Sequence, residues 1–364
     1  TKGSLEDGSG NTSGVKAAGS GNIFLNSLSG NIDVQSAIVA TEGNISLDTD
    51  AGDILQGVAG DIVTAGSIDI LSSGQISMSD GVLSKSTASG IRYQAGLDIK
   101  VGQLIADAEG QAVSLVSGAD ILDSGNSGGE DIQAANLLIS ATGGVGHDGT
   151  NLNALEIAVD FLAASSGDAG LFLKETDALI VEDLSASIKR IDGSGDVSEV
   201  IADSGEDLLT SGNGNIVLVS GGKLSIIEGA LDDGIGNNLG VKAGGSGNIF
   251  LQALSGDIDI QSKISATDGN ISMKTEAGDI LQGATGHINT AGSIDLVASA
   301  SIRMSDGGTT TSTGADIRYQ AGTDIIVGQL KVSAEEKGVS LISGDDIIDG
   351  GDTGGEDIQA SKLL

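Results

Sequence analysis

The sequence predicts an all-β fold, a parallel β-helix (β-solenoid) with about 22–23 residues in each coil. Three observations predict it: apolar residues recur at that spacing, a short Gly-polar-Ile-x-apolar unit recurs with them, and large aromatic side chains are scarce. Of the 364 residues, 59 are glycine, none is proline or cysteine, and 2% are aromatic. A core made of Ile, Leu, Val and Ala must therefore be narrow and filled repetitively.

Apolar ladders at one common spacing indicate coils with two or three short parallel strands each. The first ladder contains Ile23, Ile45, Ile68, Ile91 and Val113. The second contains Ile32, Ile54, Ile76, Ile99 and Ile121. A rougher third ladder contains Ile38, Ile62, Leu83 and Leu104. We expect right-handed winding, because parallel crossover connections are nearly always right-handed.

The repeated unit also predicts where its side chains point. In residues 21–25, Ile23 and Leu25 face the core, whereas Asn22 and Phe24 face outward. Asn or Asp at the outward position can stack on its equivalent in the next coil. A glycine before each strand is expected to supply the positive φ of a sharp corner. Such glycines are Gly21, Gly30, Gly43, Gly52, Gly60, Gly66 and Gly74.

A longer repeat organises the chain into one continuous solenoid of two modules. Residues 1–138 align without a gap on 227–364, an offset of 226 residues, which equals about ten coils. We therefore define a first module, 1–226, and an incomplete second module, 227–364. The whole chain would hold about 16 coils. Because it begins at Thr1 and ends inside a repeat, we expect it to be part of a longer protein.

Two segments depart from the coil pattern, and one pair of segments differs between the modules. Residues 153–164 fit a weak helix and a strand equally well, and residues 185–206 suggest wider coils or projecting loops. Residues 81–90 and 307–316 occupy the same place in the two modules yet differ at most positions. We expect them to form an exposed loop on a shared scaffold.

Composition excludes several partners. The formal net charge of −34 leaves no basic stripe for nucleic acid and disfavours anionic lipid. Without cysteine, there is no disulfide, Cys-based metal site or thiol redox site. The sequence contains no transmembrane run.

The sequence predicts that the protein is not an enzyme, and it indicates no catalytic or cofactor-binding residue. Its two histidines are His147 and His287, and His287 aligns with Asp61, so that histidine does not recur. Polysaccharide-cleaving β-helices are the alternative, and carboxylate pairs are plentiful. Such enzymes need basic and aromatic groups around a cleft, whereas this chain has 17 basic residues, two tyrosines and no tryptophan.

Calcium is the ligand that the sequence leaves open. Carboxylates lie beside glycine-rich turns in 345–349, 192–196 and 128–131, and calcium prefers oxygen ligands from such loops. The tandem glycine-rich nonapeptides of calcium-binding β-rolls are absent. A solvated acidic surface is the favoured interpretation, and the metal-site residues stay unknown.

One aromatic–basic pair occurs in both modules. Arg92 and Tyr93 recur as Arg318 and Tyr319. We expect the tyrosine to pack at a corner and the arginine to offset nearby acids. Residues 309–311, a run of three threonines, align with Leu-Ser-Lys and form no ladder, so they do not predict an ice-binding face.

The repeat units resemble those of filamentous-haemagglutinin-like giant bacterial surface adhesins, which are repetitive β-helix exoproteins. The Gly-Asn-Ile-x-Leu and Gly-Asp-Ile-Leu-Gln units carry this resemblance, together with residues 153–157, 168–171 and 175–179. The resemblance implies a right-handed β-helix, export across a Gram-negative envelope, and a role as a surface fibre.

These observations predict a structural or adhesive extracellular fibre at the cell surface of a Gram-negative-type bacterium. Tandem modules would extend along the chain or self-associate end to end through open solenoid ends into a filament. A host surface, a neighbouring cell or a polysaccharide is the expected partner. The alternatives are a β-helix scaffold for carbohydrate binding or cleavage and a calcium-stiffened surface stalk.

Overall fold

The chain is an all-β parallel β-helix of about 14 coils with about 23 residues per coil, which confirms the predicted fold class. The computed structural model describes residues 13–146, 153–229, 238–351, 353 and 355–364. None of these residues is helical, so the described part of the chain contains no helix that could cross a bilayer. Two compact units are distinguished: unit 1 comprises 1–160 and 184–205, and unit 2 comprises 161–183 and 206–364.

Most strands are three to five residues long, as the repeat predicts. The first seventeen are β1 (Ser13–Ala17), β2 (Ile23–Ser27), β3 (Ile32–Val34), β4 (Ala37–Ala40), β5 (Ile45–Thr49), β6 (Ile54–Gln56), β7 (Ile62–Thr64), β8 (Ile68–Ser72), β9 (Ile76–Met78), β10 (Leu83–Ser86), β11 (Ile91–Ala95), β12 (Ile99–Val101), β13 (Gln103–Ala106), β14 (Ala112–Ser117), β15 (Ile121–Asp123), β16 (Ile132–Ala141) and β17 (Gly144–Val145). The irregular middle of the chain forms β18 (Leu155–Ser166), β19 (Gly170–Glu175), β20 (Leu179–Val181), β21 (Leu184–Ile191) and β22 (Val197–Gly205). The remainder are β23 (Leu208–Thr210), β24 (Ile216–Ser220), β25 (Leu224–Ile226), β26 (Leu239–Ala243), β27 (Ile249–Ala253), β28 (Ile258–Ile260), β29 (Lys263–Ala266), β30 (Ile271–Thr275), β31 (Ile280–Gln282), β32 (Ile288–Thr290), β33 (Ile294–Ala298), β34 (Ile302–Met304), β35 (Thr309–Ser312), β36 (Ile317–Ala321), β37 (Ile325–Val327), β38 (Gln329–Val332), β39 (Gly338–Ile342), β40 (Ile347–Asp349), β41 (Ile358–Gln359) and β42 (Lys362–Leu363).

The first two predicted ladders of unit 1 are confirmed residue by residue. In the first, β2, β5, β8, β11 and β14 pair in parallel, and each predicted residue faces the next one. In the second, β3, β6, β9, β12 and β15 pair in the same way. The isoleucines of both ladders are buried in the core, except that Ile32 is half-buried. Unit 2 repeats the first ladder from β27 to β39.

The third ladder is wrong at one position. Ile38 faces Ile62 as predicted, but Ser84 rather than Leu83 continues the ladder and faces Leu104. Ser84 is fully buried because its hydroxyl has hydrogen-bond partners inside the core. The segment 81–90, which we expected to be an exposed loop, therefore includes β10. Its counterpart 307–316 likewise includes β35.

The repeated glycines serve close packing more than corner geometry, which corrects the sequence-based expectation. Among the seven glycines named above, only Gly30 has a positive φ, of 97°. At Gly43, by contrast, a Cβ would lie 2.0 Å from the carbonyl oxygen of Gly21 in the preceding coil. Backbones of successive turns therefore stack too closely at Gly43 for any side chain to fit.

The outward asparagines stack between coils, as expected. In unit 1, Asn22 Oδ1 accepts a hydrogen bond of 2.8 Å from the backbone N–H of Asn44. In unit 2, Asn215, Asn248 and Asn270 repeat this contact over three coils. Each side chain thereby satisfies a turn N–H of the following coil, which would otherwise need water.

Residues 185–206 lie in a wide coil, as one of the two expectations had it, but they do not form a projecting loop. Most of this segment forms an antiparallel hairpin of β21 and β22, which we call the hairpin, residues 184–205. The coil from which it emerges is long, since Asp168 contacts Asn213, 45 residues away. The hairpin, about as many residues as one coil, adds nothing to the coil ladder, and the chain has about 14 coils instead of the predicted 16. Residues 153–164 lie mainly in β18, a strand.

Candidate functional site

The hairpin lies on the outward face of unit 1, against β5, β8, β14 and β16. Six side chains of the coils hold it through hydrogen bonds or ion pairs, and we call them the docking set. They are Asn22, Ser46, Ser67, Asp69, Arg92 and Ser114. All point outward from strands or from the residues just before strands. Side chains in such outward positions normally face solvent in a β-helix. Here the hairpin covers them.

Backbone groups of the hairpin contact the uncharged members of the docking set. The N–H of Ile191 donates to Ser46 Oγ at 2.9 Å, and that of Lys189 donates to Ser67 Oγ at 3.4 Å. Asn22 Nδ2 donates to the carbonyl oxygen of Gly195 at 2.8 Å. These bonds satisfy main-chain groups on the side of the hairpin that faces the coils.

Four alternating charges link the hairpin to the coils. Arg190 Nε donates to Asp69 Oδ2 at 2.5 Å, and Arg92 Nε donates to Asp203 Oδ2 at 2.7 Å. Arg92 Nη1 also lies 3.4 Å from Asp69 Oδ1, which joins the two pairs. The side chain of Asp69 is only 1% exposed. Burial alone would lower the pKa of Arg190, but its hydrogen bond to Asp69 and the nearby carboxylates raise it instead.

The hydroxyl of Ser114 completes this network. It donates to Asp203 Oδ2 at 2.6 Å, so one carboxylate oxygen accepts from both Ser114 and Arg92. Buried charges are tolerated where each finds an opposite charge and further hydrogen bonds. Each of the four charges has an opposite charge here, but Arg190 Nη2 is buried without a hydrogen-bond partner. The network fixes the position of the hairpin on the coils.

Tyr93, next to Arg92, lies inside the core rather than at a corner. It is fully buried in the middle of β11, where its hydroxyl lies 2.6 Å from Ser84 Oγ and 3.2 Å from Gln56 Oε1. Burial raises the pKa of Tyr93 strongly. Tyr319 has the corresponding contacts in unit 2. Neither tyrosine can stack on a sugar ring, as a carbohydrate cleft would require.

A second cluster in unit 1 consists of three carboxylates. Asp123, Asp131 and Glu156 each offer an oxygen, and these oxygens all lie within 4.8 Å of one another. The backbone N–H of Glu156 donates to Asp131 Oδ2 at 3.0 Å, and that of Gly125 donates to Asp123 Oδ1 at 2.6 Å. Asn153 Nδ2 also donates to Asp123 Oδ2. Oxygen ligands of this type suit a hard cation such as calcium.

The electrostatics of the carboxylate cluster favour a bound proton. Burial, followed by the charge of Asp123, raises the pKa of Asp131 to about 8. Burial also raises the pKa of Asp123. Asp131 is therefore protonated at neutral pH and donates a hydrogen bond to Asp123. A cation would have to displace this proton.

The cluster includes one of the three acidic runs singled out in the sequence. Asp131 ends the run 128–131, whereas Asp123 and Glu156 come from neighbouring coils and were not anticipated. The run 192–196 is the hairpin turn, where Asp192 Oδ1 accepts from the N–H of Ser194 at 2.8 Å. The run 345–349 lies at β40, where all three strand residues are exposed.

The histidines form no common site among the described residues. His147 lies outside the described residues. The side chain of His287 is half-buried, and its Nδ1 lies 2.9 Å from Thr309 Oγ1 in the next coil. In the other module, Asp61 Oδ1 accepts from the N–H of Leu83 at 3.1 Å. Both residues therefore link neighbouring coils at the same place.

The sequence contained a signal for the docking set that we did not use. The outward residues Asp69 and Arg92 face each other across β8 and β11, and both recur 226 residues later. Arg190 and Asp203 occur in the one long segment without a second copy.

Comparison of the chain with family models, with curated proteins and with solved structures finds no match.

Proposed function

We propose that this protein is a structural or adhesive fibre on the outside of a Gram-negative-type bacterium, of the kind formed by filamentous-haemagglutinin-like adhesins. It has no catalytic role in this proposal. Tandem modules extend the solenoid, either along one chain or by end-to-end association. Outward surfaces then contact a host cell, a neighbouring cell or a polysaccharide.

The observation that supports this proposal is the continuity of the ladders within each unit. Every coil adds one residue to each ladder and buries it between the coils on either side, as Ile271 is buried between Ile249 and Ile294. Stability in such a protein comes from contacts between neighbouring coils, so length can increase without a larger core. That property suits a fibre or a stalk.

Light scattering over a concentration series, together with negative-stain electron microscopy, tests the proposal. We expect elongated particles of constant width whose mean mass increases with concentration. Compact particles of one mass at every concentration, with no binding to cells or polysaccharide, would contradict it.

A calcium-stiffened stalk is the second candidate, favoured by the carboxylate cluster at Asp123, Asp131 and Glu156. Calcium would replace the proton that Asp131 holds, so its effect should increase with pH. We expect calcium to raise the melting temperature at pH 8, and Asp131→Asn to abolish this increase. The control is Asp345→Asn, an exposed carboxylate outside the cluster. Equal melting with calcium and with EGTA would exclude this candidate.

A further inference from the structure

Unit 2 presents an uncovered counterpart of the face to which the hairpin docks. All six residues of the docking set recur unchanged 226 residues later, as Asn248, Ser272, Ser293, Asp295, Arg318 and Ser340. We call them the second set. In unit 2 they project from strands that pair in the same register, such as β33 with β36. The polar groups that hold a hairpin in unit 1 are therefore all present in unit 2.

The charged pair of the second set is closed on itself. Arg318 donates to both carboxylate oxygens of Asp295, at 2.8 and 2.7 Å. The two side chains are 45% and 37% exposed. In unit 1 the same pair is buried and keeps one contact, from Arg92 Nη1 to Asp69 Oδ1 at 3.4 Å, while Arg190 also binds Asp69 and Asp203 also binds Arg92. The charges of Asp295 and Arg318, which pair with each other in unit 2, can thus bind further partners when a hairpin docks.

Among the positions around the second set that differ from unit 1, two lie next to hairpin residues in unit 1. Gly90 is replaced by Asp316, and a Cβ at Gly90 would lie 2.4 Å from the Cδ1 atom of Ile188. Asp48, whose pKa is influenced by the nearby Arg190, is replaced by Lys274. On the face of the second set, Asp316 would therefore clash with a side chain at the position of Ile188, and Lys274 would repel an arginine at the position of Arg190.

We propose that the second set is a docking site for a β-hairpin that is closely similar to residues 184–205 but carries two compensating changes. Such a hairpin has a small side chain in place of Ile188 and an uncharged donor in place of Arg190. Its acidic residue at the position of Asp203 pairs with Arg318. The retained polar contacts make both faces hairpin sites, and the two replaced residues determine which hairpin each face accepts.

Two end-cyclised peptides of residues 184–205 test this proposal on the full chain. One has the native sequence, and the other carries Ile188→Ala and Arg190→Gln. Fluorescence anisotropy should show that the altered peptide binds with one peptide per chain, about tenfold or more tightly than the native peptide. Hydrogen exchange should then slow in β30, β33 and β36. A chain with Asp316→Gly and Lys274→Asp should reverse the preference.

The control is Arg318→Ala, whose exposed side chain can be removed without disturbing the coils. This variant should lose most of the binding of the altered peptide. Three results would overturn the proposal: neither peptide binds any of these chains, both bind the unaltered chain equally, or Arg318→Ala leaves binding unchanged. Ile188→Ala lowers the strand propensity of the altered peptide, so any difference in hairpin folding works against that peptide and cannot produce its expected preference.

Discussion

Two equivalent aspartates, Asp69 in unit 1 and Asp295 in unit 2, lie in different electrostatic environments, which allows a matched substitution experiment. Asp69 is buried under the hairpin and contacts Arg190 and Arg92. Its counterpart Asp295 pairs with Arg318 at an exposed face. Replacing each aspartate by alanine removes the same atoms. The difference between the two variants therefore isolates the contribution of the hairpin.

The expected magnitudes differ widely. Asp69→Ala leaves Arg190 and Arg92 close together, with Asp203 as their one remaining acidic partner in the network. Breaking a buried ion pair by removing one partner typically costs about 3–5 kcal/mol. Asp295→Ala removes an exposed pair, which contributes about 0–1 kcal/mol. Because about 1.4 kcal/mol corresponds to a factor of ten, hairpin opening should increase about a hundredfold or more in Asp69→Ala.

Hydrogen exchange measured by mass spectrometry follows this opening directly. Amides of β21 and β22 should exchange about a hundredfold faster in Asp69→Ala, and trypsin should cleave after Lys189 or Arg190. In Asp295→Ala, exchange in β33 and β36 should change only a few-fold. If the two variants had equal effects, or if the hairpin stayed protected in Asp69→Ala, the assigned role of the ion-pair network would be refuted.

Three further predictions concern the core, the turns and pH. Because the pKa of Asp131 is raised from 3.8 to about 8, its contribution to stability is greatest below pH 4 and is lost as pH rises towards 8. Thermal melts from pH 5 to pH 9 should therefore decline less in Asp131→Asn than in the unaltered chain, with Asp345→Asn as the control. Tyr93→Phe removes the hydrogen bonds of a buried hydroxyl to Ser84 and Gln56, which still bond each other, and should destabilise the chain by about 0.5–1.5 kcal/mol in urea unfolding. Gly43→Ala places a Cβ against the backbone of the preceding coil and should lower the melting temperature. Gly193→Ala should not, because an added Cβ there has no atom within 4 Å beyond its chain neighbours.

The coil ladders could be predicted because they depend on local repetition alone. Spacing of isoleucines placed two ladders correctly, since inward residues must recur once per coil. The prediction of the third ladder failed at Ser84, a polar residue buried at a position where the pattern required an apolar one. Ser84 can be buried there because it forms hydrogen bonds with Tyr93 and Gln56, which lie on other strands. Only the assembled core shows that a serine is satisfied there.

The hairpin and the carboxylate cluster could not be predicted in the same way. Docking joins residues that are far apart in sequence, with Arg92 and Asp203 separated by 111 positions. The cluster combines Asp131 with Asp123 and Glu156 across irregular coils, where the repeat spacing no longer gives the register. Composition identified a surplus of acids in both places, but the partners depend on the tertiary fold.

The position of the hairpin in the sequence has a consequence for the order of folding. Its binding surface lies within residues 22–141, which are synthesised well before residues 184–205. A chain that folds from its amino terminus completes this surface first, and the hairpin then closes on a finished template. A chain that folds from its carboxyl terminus must carry Arg190 and Asp203 exposed until the earlier coils have formed. The direction of folding would thus decide how long those charges stay exposed, and pulse-labelling during refolding of the whole chain could time their burial.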